Sequence, residues 1–265
     1  MRFPSGLHLR PRQQEEQDTA PVQTKKQRWL KIARRTGKVS LAVILVLAAG
    51  IGILVGATPS AGEAQALVRQ EAQEHGIAYP GAAVPTYFAQ ALVATEDHRF
   101  YSDPGVDPLA IARVVVYTAI GKQDQGGSTI AQQLAKMLYT GTRTGFKTEL
   151  EQVTLAVKLN MTYTKAQILQ MYSEVAYYGH GYYGLEQASC GYFGHPAADL
   201  TLVQAAMLAG AVNAPTYDDP LVYPAQARAR LVHVLGRMQA VGYLSTAQEK
   251  QALAEPLGLS ATRGC

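Results

Sequence analysis

Cysteine is scarce in this chain, which has only Cys190 and Cys265 among its 265 residues. The two do not form a Cys-x-x-Cys pair, and no histidine stands at a metal-ligand spacing from them. We therefore predict no metal site built from cysteine or histidine. A disulfide between the two would suit an extracytoplasmic protein. We expect instead that Cys190 is a small core residue beside Tyr192 and Phe193, and that Cys265 lies in a flexible C-terminus, residues 260–265.

The sequence also lacks a sustained two-residue alternation of apolar and polar residues, and it has no internal repeat. Such alternation is typical of strands, so we do not expect a β-sheet.

A basic folded domain is missing too, although the formal net charge is +4. Residues 1–38 hold ten of the 24 Lys and Arg and three of the 20 Asp and Glu, which leaves 14 basic and 17 acidic residues beyond them. Nucleic-acid binding has no support, because it needs a basic face on the folded domain.

Charge is absent from one long run, residues 39–57. An apolar helix of about 20 residues is long enough to cross a bilayer. Residues 1–38 are polar, are predicted to be disordered, and carry a basic block next to the run, which places the N-terminus in the cytoplasm. A cleaved signal peptide is the alternative, but both the basic region and the apolar run are long for one. We predict that residues 39–57 are a single-pass transmembrane anchor, with everything after Thr58 outside the membrane.

Proline residues and cap residues divide the remaining chain into helical segments. Residues 58–83 are predicted to form a polar helical stalk, and residues 84–259 an all-α domain. Thr164 and Gln167 predict a capping box for the helix that starts at Lys165. The predicted helices of the domain cover roughly residues 85–96, 107–120, 129–138, 148–160, 165–177, 200–212 and 225–241.

Residues 126–136 read Gly-Gly-Ser-Thr-Ile-Ala-Gln-Gln-Leu-Ala-Lys. The two glycines allow the backbone to approach a ligand closely, and the serine or threonine after them can cap a helix. Helical spacing then puts Thr129, Gln132, Gln133 and Lys136 on one face. Hydroxyl groups, amides and a lysine suit a polyoxygenated, anionic ligand such as a sugar pyrophosphate. Taken alone, an ordinary amphipathic helix with a solvated polar face explains the stretch equally well.

A pair of acidic residues, Glu96 and Asp97, ends an apolar helical pattern and is followed by Phe100 and Tyr101. A carboxyl group that aromatic residues shield from water can be tuned as a catalytic acid or base. The alternative is a surface pair that interacts with Arg99.

The two stretches, in this order and at this separation, resemble the peptidoglycan glycosyltransferases of family 51. These proteins occur as monofunctional enzymes and as the N-terminal half of class A penicillin-binding proteins. The first motif of the family resembles Glu-Asp-x-x-Phe-x-x-His-x-Gly, and residues 96–105 read Glu-Asp-His-Arg-Phe-Tyr-Ser-Asp-Pro-Gly. The second resembles Gly-Gly-Ser-Thr-Ile-Thr-Gln-Gln-Leu-x-Lys-Asn and matches residues 126–137. The resemblance extends over roughly residues 84–242.

The resemblance implies a lysozyme-like, two-lobed helical domain behind the transmembrane helix, at the bacterial plasma membrane. It implies polymerisation of lipid II, a disaccharide-pentapeptide on undecaprenyl pyrophosphate, into glycan strands by inverting transfer. Glu96 would be the general base on the acceptor 4-hydroxyl, and Lys136 would contact the pyrophosphate. No cofactor is implied as a requirement, and a divalent cation such as Mg²⁺ at the pyrophosphate stays open. The other implied substrate contacts are Asp97, Phe100, Gly127, Ser128, Thr129, Gln133 and Gln152.

The third motif of the family, which resembles Arg-Lys-x-x-Glu-x-x-x-Ala, is altered in this chain. An alignment without gaps puts Gln152 where a second carboxylate is expected. Lys147 and Glu151 have the right spacing but lie one residue early, which rotates a helical side chain by about 100°. Glu151 could therefore substitute only if the helix is locally overwound or bulged. Further departures from the family pattern are Asp103 for His, Met137 for Asn, Gln170 for Glu and Glu174 for Asn.

Other functions remain to be distinguished. No Ser-x-x-Lys or Lys-Thr-Gly motif occurs, so we expect no transpeptidase domain and a monofunctional enzyme. One alternative is a degenerate relative that binds lipid II or a cell-wall or division partner without turnover, which the altered third motif favours. The other is a lysozyme-like glycan hydrolase, suggested by a single catalytic glutamate in a helical fold.

Overall fold

The computed structural model describes residues 25–103, 128–260 and 265. These residues form ten α-helices and no sheet; the one isolated bridge among them joins Tyr177 and Tyr183. The predicted all-α class is therefore confirmed. The helices are α1 (Lys25–Ala57), α2 (Ala64–Glu74), α3 (Thr86–Glu96), α4 (Ile130–Ala135), α5 (Phe146–Thr162), α6 (Lys165–Val175), α7 (Leu185–Phe193), α8 (Leu202–Ala211), α9 (Pro224–Ala240) and α10 (Thr246–Ala254).

The chain divides into two units, Met1–Ile53 and Leu54–Cys265. The described part of the first unit is helix α1, whose apolar side chains, such as Val43 and Leu45, are exposed. Among the described residues, no helix is both long enough and apolar enough to cross a membrane. The anchor at residues 39–57 stays a prediction.

Four helices of the second unit begin with the same local device. A threonine or serine accepts a hydrogen bond from the backbone N–H three residues on, and the glutamine at that position bonds back to the cap. This reciprocal pair satisfies two N–H groups that a helix start leaves open. The predicted box at Thr164 and Gln167 is confirmed. The others are Thr129 with Gln132, Thr201 with Gln204, and Ser245 with Gln248.

Helices α3, α8 and α9 pack against one another and form the centre of the second unit. Helix α8 is rich in alanine and is buried from its second residue, Val203, to its end, so the helices on either side of it can approach closely. Helix α4 packs on α5 and α6, which places the end of the second sequence motif against the rest of the core. The hydrophobic core is closed by fully buried aromatic side chains, among them Phe88, Tyr178 and Tyr192.

The prediction of a polar helical stalk at residues 58–83 is wrong. Helix α2 packs on α6, and its side chains Ala64, Val68 and Ala72 are buried in the core. These residues stand at four-residue intervals and form a narrow apolar stripe. Such a stripe is a weak signal in the sequence of a helix that is otherwise polar. The segment is a part of the folded domain.

The expectation that the two cysteines stay apart is also wrong, because Cys190 and Cys265 form a disulfide. Cys190 lies on α7, and Cys265 returns to it across a sequence separation of 75 residues. Sequence alone could not decide this, since pairing depends on where the C-terminal segment runs. Helices α7 and α10 were not predicted, and the predicted helix at residues 107–120 lies outside the described residues.

Candidate active site

Glu96 is the last residue of α3, and its side chain is only 9% exposed. Both carboxylate oxygens have donors. Oε2 accepts a hydrogen bond from Gln133 Nε2 at 2.9 Å, and Oε1 accepts one from Arg230 Nη2 at 3.0 Å. Three helices that are far apart in sequence, α3, α4 and α9, therefore meet at one carboxylate.

Gln133 connects Glu96 to a buried tyrosine. The Tyr172 hydroxyl, on α6, donates to Gln133 Oε1 at 2.8 Å, and this fixes which end of the amide faces Glu96. Burial, and then the charge of Glu96, raise the pKa of Tyr172 above its ordinary value, so the phenol stays protonated and acts as a donor. The result is a chain of hydrogen bonds from Tyr172 through Gln133 to Glu96.

Arg230 can reach Glu96 because Gly210, on the neighbouring helix α8, has no side chain where Arg230 passes. Arg230 Nε also donates to the backbone oxygen of Gly210 at 3.2 Å. A β-carbon at Gly210 would lie 2.9 Å from Arg230 Cγ, which is closer than real side chains approach. Neither Arg230 nor Tyr172 was predicted to contact the site. The close crossing of α8 and α9 at Gly210 is a tertiary feature with no local signal.

Asp97 lies next to Glu96 but faces a different partner. Its Oδ2 accepts a hydrogen bond from the backbone N–H of Ile130 at 3.2 Å, and the residue is buried. Burial, followed by the charge of Asp103, raises the pKa of Asp97 to about 6. Asp97 thus attaches the end of α3 to the start of α4. This contact keeps the two sequence motifs together.

The second motif is arranged differently from the single polar face that helical spacing predicts. Thr129 is buried and caps α4, and Gln132 is bound to that cap. Gln133 points at Glu96, whereas the Lys136 side chain is exposed and its ammonium group has no hydrogen bond or ion pair with the described part of the chain. A π-helical turn, Lys136–Thr140, starts at the lysine and widens the helix there. Ser128 is exposed, and Gly127 lies outside the described residues.

Phe100 is buried in the core below the end of α3. The Lys165 ammonium group lies 4.6 Å from the centre of its ring and also donates to the backbone oxygen of Asp103 at 2.7 Å. The phenylalanine therefore contributes apolar packing close to the first motif. Its ring is covered by a cation of the protein itself.

The two candidates for a second carboxylate position, Glu151 and Gln152, have different partners. Arg143 donates two hydrogen bonds to Glu151, each of 3.1 Å. Gln152 Nε2 donates to the Thr140 hydroxyl at 2.8 Å, at the end of the π-helical turn. Helix α5 runs from Phe146 to Thr162 as an α-helix. Among the described residues, no group of three or more His, Cys, Asp or Glu is arranged to hold a metal ion.

Comparison with known proteins gives one family. The family model described as "Transglycosylase" matches residues 63–239. The chain is 39% identical over 176 residues to penicillin-binding protein 1A of Aquifex aeolicus, a match that covers 66% of this chain and 24% of the relative. It is 37% identical over 176 residues to a presumed transglycosylase of Cupriavidus necator, covering 66% of this chain and 76% of the relative.

The chain thus spans about a quarter of the penicillin-binding protein and most of the shorter relative. A crystal structure of penicillin-binding protein 1A from Haemophilus influenzae aligns with 38% of this chain and 15% of its own, at 33% identity and a TM-score of 0.35. Because the family model covers most of the chain and includes both motifs that meet at Glu96, the chain belongs to the transglycosylase family, the peptidoglycan glycosyltransferases.

Proposed function

We propose that this protein polymerises lipid II into glycan strands, with Glu96 as the general base. The observation that carries the proposal is the environment of the Glu96 carboxylate. It is held by donors from two other helices, yet each of its oxygens accepts only one hydrogen bond from the described part of the chain. A carboxylate oxygen has two lone pairs, so each can still accept a proton from an acceptor hydroxyl.

The chemistry is an inverting displacement. The acceptor 4-hydroxyl gives its proton to Glu96 while its oxygen attacks the anomeric carbon of the growing chain. The bond from that carbon to the pyrophosphate breaks, and undecaprenyl pyrophosphate leaves with the bonding electrons. Gln133 and Arg230 keep the carboxylate in one position during this step, which is the kind of orientation that lowers a barrier.

Lys136 is the residue that we assign to the leaving pyrophosphate. Its ammonium group is exposed and has no partner in the described part of the chain. A cation that is not already paired can contact the phosphate oxygens and stabilise the charge that develops as the bond breaks. The preceding helix turn carries Gln133, which donates to Glu96, so the residue that positions the base and the cation come from one short segment.

Membrane attachment through residues 39–57 is a part of the proposal. It is supported by the uncharged run and the basic block before it. Lys158 of α5 donates to three backbone oxygens at the end of that run and just beyond it, those of Val55, Thr58 and Pro59. The disulfide between Cys190 and Cys265 agrees with an oxidising compartment outside the cytoplasmic membrane.

The test is polymerisation of purified lipid II by the full-length protein, resolved on a gel. We expect glycan polymer from the unchanged protein and a loss of about 10²–10⁴-fold for Glu96→Gln. Glu74→Gln, an exposed residue on α2, is the matched control and should keep full activity. Unchanged polymer levels from the Glu96→Gln variant would exclude Glu96 as the general base.

One observation supports a second function, the binding of lipid II without turnover. Gln152 stands where the family pattern has a carboxylate, and Glu151 is bound by Arg143. A relative that binds lipid II without turnover would show saturable binding and no polymer in the same assay. Cleaved glycan, instead of polymer, would identify a hydrolase.

A further inference from the structure

The segment of residues 55–62, at the end of the uncharged run and just beyond it, is held by side chains that are far away in the sequence. The Lys158 ammonium group donates to the backbone oxygens of Val55 at 2.7 Å, Thr58 at 2.9 Å and Pro59 at 3.0 Å. An ammonium group has three N–H donors, so these contacts use all of them. Helix α1 ends within this segment, and the last carbonyl groups of a helix have no partner inside it. Lys158 therefore closes this helix end.

Two tyrosine hydroxyl groups hold the rest of the segment. Tyr139 donates to the backbone oxygen of Ser60 at 3.2 Å, and Tyr163 donates to that of Gly62 at 3.1 Å. Burial, and then the electrostatic effect of Tyr163 and Glu63, raise the pKa of Tyr139 to about 12, so its hydroxyl stays protonated and acts as a donor. Five backbone oxygens of the segment thus accept hydrogen bonds from three side chains. We call these side chains the linker clamp: Tyr139, Lys158 and Tyr163.

The linker clamp is built on the same elements as the proposed pyrophosphate site. Tyr139 belongs to the π-helical turn that begins at Lys136. Lys158 stands on α5, which packs on this turn. Gln152 of the same helix donates to the Thr140 hydroxyl, at the end of the turn, at 2.8 Å. The turn that carries the pyrophosphate lysine and the segment after the uncharged run are therefore fixed to one another.

This connection matters because the proposed substrate is a lipid. In the proposed arrangement residues 39–57 cross the bilayer, so the segment of residues 55–62 lies at the membrane surface. The pyrophosphate of lipid II is joined directly to the undecaprenyl chain and is charged, so it lies at the membrane surface too. A hydrogen bond from an ammonium group to a phosphate oxygen needs a separation of about 2.7–2.9 Å. Lys136 must therefore be held at the depth of the pyrophosphate.

We propose that Lys158 is a positioning residue of the transfer reaction, which holds Lys136 at the depth where the pyrophosphate of a membrane-bound substrate lies. The proposal rests on the proposed function and on the proposed anchor. Lys158 lies outside the three family motifs, and its acceptors are neutral backbone oxygens. Its removal leaves the catalytic carboxylate and the pyrophosphate lysine in the chain and changes the depth at which the lysine stands.

The first measurement is a distance, and it needs no substrate. The full-length protein with Thr142→Cys, an exposed position just after the π-helical turn, carries a donor dye on the new thiol, since the two natural cysteines are paired. It is inserted into phosphatidylcholine vesicles whose headgroups carry an acceptor dye. We expect efficient energy transfer with a narrow distribution of donor lifetimes.

The variants then show what the linker clamp contributes to this distance. Lys158→Met should lower the transfer efficiency and broaden the lifetime distribution. Lys158→Arg should keep most of the transfer, because a guanidinium group still donates to backbone oxygens. Lys250→Met, an exposed lysine on α10, is the matched control and should change neither quantity.

The second measurement compares two substrates. Lipid II in a bilayer is held at one depth, whereas a short-chain analogue that dissolves in water reaches the site from solution. Lys158→Met should lower kcat/KM about tenfold for lipid II in the bilayer, mainly through KM, and less than about threefold for the soluble analogue. The double variant Tyr139→Phe with Tyr163→Phe keeps both rings and loses two hydrogen bonds of the linker clamp. It should show the same bias, so the test does not depend on the folding of Lys158→Met.

Equal transfer efficiencies in Lys158→Met and the unchanged protein would overturn the proposal. Equal losses of kcat/KM on the two substrates would overturn it as well, because a merely structural role lowers both alike. Protein that does not enter the vesicles would refute the anchor and this proposal with it. Absence of polymer from the unchanged protein with either substrate is a failure of the proposed function, and the distance measurement distinguishes it from a failure of the linker clamp.

Discussion

Arg230 and Glu96 are 134 residues apart in the sequence and form an ion pair of 3.0 Å, with side chains only 19% and 9% exposed. Such a pair is favourable only while both partners are present, because a single charge in a buried position is left without compensation. The general base of the proposed reaction is therefore held by a residue from the last part of the domain.

The first prediction is a coupling between these two residues. Arg230→Met should lower the free energy of unfolding by roughly 3 kcal/mol, since it leaves the Glu96 charge buried. Adding Glu96→Gln should return a part of that loss, with a coupling energy of about 1–3 kcal/mol. Denaturant unfolding of the unchanged protein, both single variants and the double variant measures it. Additive losses would mean that the pair does not interact energetically.

The second prediction concerns the Tyr172 hydroxyl. Tyr172→Phe removes the donor that orients Gln133, so Glu96 loses a part of its positioning. We expect a loss of roughly 2- to 10-fold in kcat, the scale of one neutral hydrogen bond, with little change in lipid II affinity. Tyr178→Phe is the control, because its buried hydroxyl donates to the Ser173 backbone oxygen at 3.2 Å and takes no part in this chain. Equal kcat losses in both variants would indicate a general effect on packing.

The third prediction is a dependence of stability on pH that comes from Asp97. Its pKa is raised from 3.8 to about 6, first by burial and then by Asp103, while Lys165 acts in the opposite direction. Between those values the folded state binds more protons than the unfolded state, so the free energy of unfolding falls as pH rises and levels off above about pH 6. The fall should be on the order of 2–3 kcal/mol.

Asp97→Asn tests this directly. The amide is neutral at all these pH values, and its oxygen can still accept the hydrogen bond from Ile130. The variant should lose most of the slope between pH 4 and 6 and should be more stable than the unchanged protein at pH 7. Parallel curves of stability against pH for the two proteins would contradict the assignment.

The fourth prediction concerns Lys136. Lys136→Met should weaken lipid II binding by roughly tenfold or more, the effect of losing a charged hydrogen bond to phosphate. The fold should be unaffected, because the side chain is exposed and has no partner in the described part of the chain. Lys250→Met, an exposed lysine on α10, should bind normally. Equal affinities of both variants would exclude Lys136 from the pyrophosphate site.

Much of the fold could be predicted because its signals are local. A threonine or serine followed by glutamine, as at Thr164 and Gln167, acts within one helical turn. The apolar stripe of α2 and the disulfide could not be predicted with the same ease. The apolar stripe of α2 consists of only three residues, and the pairing of the two cysteines depends on the path of the C-terminal segment.

The residues of the site also divide into those that a local signal predicts and those that depend on tertiary packing. The two motifs lead to Glu96 and Gln133 because each is continuous in sequence. Arg230 was missed because it reaches the site only through the close packing of α9 on Gly210. Helical spacing also placed Gln132 beside Lys136 on one face, whereas the glutamine is bound to its own helix cap. A polar residue near a helix start can cap the helix or face a ligand, and its spacing does not separate the two roles.

The last prediction decides whether a second carboxylate takes part. Glu151 is held by two hydrogen bonds from Arg143, and Gln152 lies about 100° around the same helix, bound to Thr140 beside the turn that begins at Lys136. An amide cannot exchange a proton near neutral pH, so Gln152 can only contribute a hydrogen bond.

The leaving pyrophosphate needs stabilisation of its charge more than it needs a proton, and Lys136 can provide that. We therefore expect Glu151→Gln to keep polymerisation within about threefold of the unchanged protein. Gln152→Glu should preserve or raise activity, since it puts a carboxylate where the family pattern has one. Arg143→Gln, which releases Glu151 without removing it, is the control for the ion pair. A loss at Glu151→Gln as deep as at Glu96→Gln would show instead that the helix presents Glu151 to the substrate and that two carboxylates share the reaction.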